Sequence, residues 1–105
     1  MTKTIIDKAK KKAQQSICKH RVSATGFDKS GNVLGSAINR PHLSKIGGGI
    51  HAEISLLRRI DVKKLHSILL CRVGKGGNLL PIHPCENCKK VLDKLGVFVY
   101  SVGND

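Results

Sequence analysis

Two short stretches of this sequence carry side chains of the kind that ligate metals and move protons: His51-Ala52-Glu53 and Pro84-Cys85-Glu86-Asn87-Cys88. Cys85 and Cys88 are three residues apart, so on the first turn of a helix both thiols point the same way. Backbone N–H groups at a helix start also favour thiolate over thiol. His51 can supply a third ligand from a second helix. Three protein ligands leave the fourth tetrahedral position of Zn²⁺ open, which is the pattern of a catalytic rather than a structural site. An open zinc position lowers the pKa of a bound water to about 7, so hydroxide is available at neutral pH. Glu53 follows His51 by two residues and has no place in that ligand set, which makes it the candidate proton shuttle.

Each motif alone has other readings. A structural zinc site would take a fourth ligand from Cys71, His66 or His83. A thioredoxin-like Cys-x-x-Cys usually follows an early strand, whereas this one comes late in the chain. Packing without any metal is the third alternative. The two motifs together, each at an expected helix start, favour the open zinc site.

The elements that must position these residues follow from apolar periodicity. Residues 2–19 read as an amphipathic helix, with Ile5, Ala9, Ala13 and Ile17 every four residues and lysines on the other faces. Arg21–Asp28 and Val33–Asn39 read as a hairpin around Lys29-Ser30-Gly31-Asn32. Arg40–Ile50, with Pro41 and three consecutive glycines, reads as a loop, and a second helix is expected over His51–Ile60. His66–Val73 is apolar on both faces, as a covered central strand would be. After a loop over Gly74–His83, Pro84 opens a third helix that stops at Gly96, and Val97–Val102 is a last strand. The order α-β-β-α-β-α-β implies one α/β domain over residues 1–105, with helices packed on a sheet. The central strands are expected to run parallel, because each is joined to the next through a helix.

Composition bounds the partners. The chain has 105 residues, 40% of them hydrophobic and 25% charged, in keeping with a single globular core. Its longest apolar runs, such as Ile68–Cys71, are too short to span a bilayer, so no membrane partner is expected. No apolar segment follows the basic N-terminus, and we expect an intracellular protein without a signal peptide. Cys18 and Cys71 lie within apparent regular elements and read as buried thiols. The formal net charge is +12, from 19 Lys and Arg against 7 Asp and Glu. Lys3, Lys8, Lys10, Lys11, Lys12, Lys19 and Arg21 stand against Asp7 alone in the first fifth of the chain. That balance favours a phosphorylated or polyanionic partner, or else a solubilising basic surface. Phe27, Phe98 and Tyr100 are the only aromatics, too few for an extended base-stacking platform.

His-Ala-Glu followed by Pro-Cys-x-x-Cys resembles the signature of the cytidine deaminase superfamily, the zinc-dependent nucleobase deaminases. The element order resembles that family's core over nearly the whole chain. The resemblance implies a three-layer α/β sandwich with a four-stranded mixed sheet and helices on both faces. It implies Zn²⁺ held by His51, Cys85 and Cys88, with Glu53 carrying protons to the base and to the leaving ammonia. Ala52 would offer its backbone N–H to the carbonyl of the base, and Asn39 would contact the sugar. Asn39-Arg40-Pro41 looks like the tRNA adenosine deaminases, whereas Pro84–Ser101 looks more like short cytidine or deoxycytidylate deaminases, some encoded by large DNA viruses. His83 stands where relatives usually have Ser, Thr or Glu, and is either a surface-loop residue or a substrate contact at the pocket rim.

The expected activity is hydrolytic deamination of cytosine in a free nucleoside or nucleotide. The alternative is a cytosine, or an adenine of tRNA, within a single strand held through the basic N-terminal helix. A zinc-stabilised binding module without activity is the third reading, and it leaves Glu53 without a purpose. The last strand is a candidate exposed edge, so a homo-oligomer is also expected.

Overall fold

The computed structural model describes residues 3–18, 20–40, 51–84 and 86–102. The first helix, α1 (Lys3–Gln14), buries Ala9 and Ala13, with Ile5 beside them. Small residues at these positions let the helix lie close to the sheet, and the buried Ser23 hydroxyl donates to the Ala9 carbonyl at 2.8 Å. The helix ends earlier than its periodicity predicts. Gln15 and Ser16 bond back to the carbonyls of Lys12 and Ala13, tightening the last turn, and the Ser16 hydroxyl donates to the Asn39 carbonyl. That tie to the sheet takes the place of further helix. Ile17 is therefore outside the apolar stripe and 84% exposed, and Cys18 is half-buried rather than part of a core.

Strands β1 (Arg21–Phe27) and β2 (Val33–Ile38) form the expected antiparallel hairpin. Asp28 closes its turn by accepting the N–H groups of Ser30 and Asn32, both at 2.9 Å, and Gly31 supplies a φ of 87°. Helix α2 (Ala52–Leu57) is shorter than His51–Ile60, with His51 as its extended N-cap. Strand β3 (Ser67–Val73) follows, then β4 (Leu79–Leu80), α3 (Glu86–Leu95) and β5 (Phe98–Ser101). Pro84 precedes α3 instead of opening it. At the other end of α3, Gly96 adopts φ 70°, and the N–H groups of Gly96 and Val97 bond to the carbonyls of Asp93 and Leu92. This is the glycine cap the sequence predicts.

The sheet is mixed and has five strands rather than four, because the presumed loop after β3 contains the two-residue β4. The order runs β2-β1-β3, and the remaining edge of β3 is shared by β4, opposite Arg72 and Val73, and β5, opposite Ser67–Leu70. The expectation of parallel central strands holds only in part. Strands joined through a helix do run the same way, as β3 and β5 do. However, the hairpin folds β1 in between β2 and β3, and it pairs antiparallel with both.

Alternation along β1 and β3 divides the interior into two cores. Val22, Ala24, Ile68 and Leu70 face α2 and α3, where they meet Ala52, Leu56, Leu92 and Val97. Phe27, Leu69, Cys71 and Val73 face α1. Helices thus cover both faces in three layers. Among the described residues, no helix is long and apolar enough to cross a membrane.

Candidate metal centre

The connections of the sheet decide where the two motifs meet. Helix α2 crosses back between β2 and β3, and α3 crosses back between β3 and β5, so both helices start at the end of the sheet where β2 and β3 stop. The other end of α2 confirms the direction: a Cβ on Gly26 would meet Leu56 and Ile60, and one on Gly35 would meet Ile60. His51 caps α2 with extended backbone (φ −67°, ψ 149°) and makes no side-chain cap bond. Its ring reaches across to α3 instead, where Nδ1 lies 3.2 Å from the Sγ of Cys88.

Glu53, one residue into α2, brings its carboxylate to the same place. Ligand atoms of His51, Glu53 and Cys88 all lie within 4.8 Å of one another. His51 is exposed, whereas Glu53 and Cys88 are 5% and 3% exposed. A buried carboxylate and a buried thiol facing an imidazole form a donor set suited to a transition-metal cation. The spacing fits as well. Two ligands of one tetrahedral zinc, with bonds of about 2.0 Å to nitrogen and 2.3 Å to sulfur, stand roughly 3.5 Å apart. Zinc there would take His51 and Cys88 as ligands. Cys85, the third expected ligand, lies outside the described residues.

The alternative fourth ligands do not gather here. Cys71 is fully buried on the α1 side of the sheet, where burial pushes its thiol up to about 11. His66 lies at the start of β3, at the far end of the sheet, with its ring 5.3 Å from that of Phe98. His83 is exposed and lines a cavity of about 480 Å³ between α3 and β5, together with Lys89, Asp93 and Phe98. None of His51, Glu53 and Cys88 lines that cavity.

Ala52 is buried as the first helical residue of α2, a position whose N–H has no acceptor within the helix. Asn39 sits at the same end of the sheet. Its amide oxygen accepts the Val22 N–H at 3.0 Å, and its amide nitrogen donates to the His20 carbonyl. These bonds brace the end of the hairpin, and each amide atom keeps capacity for one further bond. The sequence reading did not single out His20 and Arg72, which the fold joins at 2.7 Å across 52 residues. Local spacing carries no signal of such a pair.

Neither a family model nor a curated protein matches this sequence. Solved structures match its fold. Cytidine deaminase from Burkholderia pseudomallei is similar over 100% of this chain and 89% of its own, with a TM-score of 0.66 and 21% identity. The enzyme from Mycobacterium leprae is similar over 89% and 81%, at 0.65 and 18%. That from Mycobacterium tuberculosis is similar over 91% and 79%, at 0.61 and 20%. The chain therefore has the cytidine-deaminase fold.

Proposed function

We propose that this chain catalyses zinc-dependent hydrolytic deamination of cytosine to uracil in a free nucleoside or nucleotide. The observation that carries this reading is the convergence of His51, Glu53 and Cys88 from two helix starts, on a fold whose solved neighbours are cytidine deaminases. Zinc held by His51, Cys88 and Cys85 would supply a water activated for attack on the base.

Glu53 takes one proton from the attacking water and passes it to the ring nitrogen beside the amino-bearing carbon, then takes the second proton from the added oxygen and delivers it to the amine as the C–N bond breaks. Water and cytosine thereby become uracil and ammonia. Its burial supports the role, since bulk water is kept from the carboxylate during transfer. Ala52 offers its backbone N–H to the carbonyl of the base. Asn39 contacts the sugar with its remaining hydrogen-bonding capacity, whereas His83, exposed on a cavity that none of His51, Glu53 and Cys88 lines, takes the surface-loop reading.

The basic α1 favours a second reading, deamination of a base within a single strand. Lys3, Lys8 and Lys11 are exposed on it and Lys10 and Lys12 are half-buried, a surface suited to phosphates. Self-association is supported by β5, where Phe98 and Tyr100 are 58% and 50% exposed and the outer edge has no strand partner among the described residues. Product analysis after incubating the zinc-loaded protein with cytidine, deoxycytidine, dCMP and a cytosine oligonucleotide tests the proposal. Uracil from cytidine, deoxycytidine or dCMP supports it, uracil from the oligonucleotide alone replaces it with the second reading, and none from any substrate at full zinc loading overturns both.

A further inference from the structure

Arg72 is the penultimate residue of β3, at the end of the sheet where α2 and α3 begin. It pairs in register with Val22 and Leu80, so its side chain leaves the sheet on the α2 and α3 face, the face of the metal centre. Its surroundings are unusual for a partly buried cation. The Nε atom is buried without a hydrogen-bond partner, and no carboxylate pairs with the guanidinium among the described residues. The terminal Nη2 lies 2.7 Å from His20 Nδ1. A guanidinium cannot shed its proton, so this position carries a permanent charge with no counter-charge among the described residues. Leaving such a group unpaired costs free energy that an anion would recover.

Most neighbouring charges point the same way, the buried Glu53 carboxylate of the metal centre being the exception. His20, Arg21, Arg40, Arg72 and Lys75 all lie at the ends of β1, β2 and β3 on this side. The last turn of α1, with Lys11 and Lys12, reaches this end too, since Gln14 adjoins Gly77. Asp28, Asp61 and Asp93 lie elsewhere, in the hairpin turn, after α2 and at the close of α3. Glu86 is near the start of α3 but faces Lys90 at 3.9 Å. Because Nη2 donates to His20 Nδ1, the ring proton of neutral His20 sits on Nε2, a second donor on an exposed residue.

We infer that Arg72 and His20 form a phosphate-binding position beside the metal centre, so that the base is taken as a phosphate ester in preference to the free nucleoside. A planar guanidinium with spare donors matches phosphate oxygens, and phosphate is the anion a nucleoside carries. The identity of the base rests on the deaminase reading; the anion site does not. A 5′-monophosphate and the phosphodiester of a strand offer the same chemistry.

The test is equilibrium binding, which needs no turnover. Cytidine, deoxycytidine, their 5′-monophosphates, a short cytosine oligonucleotide and inorganic phosphate are titrated into the full chain, and into Arg72→Gln, Arg72→Lys and His20→Ala. The expected result is about tenfold or more tighter binding of phosphate-bearing ligands than of nucleosides, lost in Arg72→Gln and partly retained in Arg72→Lys. His20→Ala, an exposed position that spares the core, should weaken the same ligands only. Inorganic phosphate should compete with the monophosphates and not with the nucleosides. Tighter binding of the oligonucleotide than of the monophosphates identifies a diester as the natural source; the reverse identifies a monoester. Equal affinity of nucleosides and monophosphates, or equal weakening of both in Arg72→Gln and His20→Ala, overturns the inference. An Arg72-dependent phosphate preference without release of ammonia from any substrate sustains the anion site and removes the deaminase reading. Turnover of nucleosides and monophosphates with equal efficiency in wild type and variants does the opposite.

Discussion

His51 Nδ1 stands 3.2 Å from Cys88 Sγ, joining the start of α2 to α3 across 37 residues of sequence. Both helices are otherwise lightly held: α2 has six residues, and within α3 only Cys88 and Leu92 are buried. A cation bound at this contact, as proposed, would therefore brace the fold as well as serve chemistry.

Removing the metal should cost stability. Zinc at a hundred times its Kd adds about 2.7 kcal/mol. In a domain of this size that is on the order of ten degrees in Tm or more. Thermal unfolding with and without a chelator measures it. Cys88→Ser and His51→Ala should abolish both the zinc content and the chelator effect, and a Tm indifferent to chelator would refute the bracing role.

Glu53 should separate from the ligands. Glu53→Gln is expected to keep zinc, measured by metal analysis, while lowering kcat by about 10²–10⁴-fold, the usual range for a general acid–base group. Loss of zinc from this variant would assign Glu53 to the ligand set instead.

Leu92 links the core to the site. It is 1% exposed and packs in the α2 and α3 core one turn after Cys88. Leu92→Ala should destabilise by about 2–5 kcal/mol in denaturant unfolding. It should also weaken zinc binding, with added zinc recovering part of the stability. A zinc affinity unchanged by this substitution would show that α3 is positioned by other contacts.

Cys71 gives a pH dependence of known sign. Burial pushes its thiol up to about 11 from 9.0, so the folded chain binds that proton more tightly than the unfolded chain does. Its contribution to stability is complete below pH 9 and is lost as pH rises towards 11. Denaturant midpoints across that window should fall more steeply for wild type than for Cys71→Ala, and parallel curves would contradict the assignment.

The grouping of candidate residues and the helix starts were legible because they are local. His51, Glu53 and Cys88 declare themselves through residue type and short spacing, and α2 and α3 through apolar periodicity. What escaped notice depends on distant partners. Ser16 ends α1 through a bond to Asn39, which leaves Ile17 outside the stripe it seemed to continue. The antiparallel pairing of β1 with β3 follows from the hairpin inserting β1 into the sheet, a matter of strand order. Strand β4 has two residues and exists only because β3 offers it an edge. The His20–Arg72 pair is made by the same antiparallel neighbours.

The most direct test of the central claim is ammonia release by the zinc-loaded chain, measured beside Glu53→Gln at equal zinc content. Cytidine, deoxycytidine, their monophosphates and a cytosine oligonucleotide would serve as substrates. We expect at least one to yield ammonia and its uracil counterpart in equal amounts, with the yield lost in the variant. Silence on every substrate at full zinc loading, or equal release by Glu53→Gln, would contradict the account.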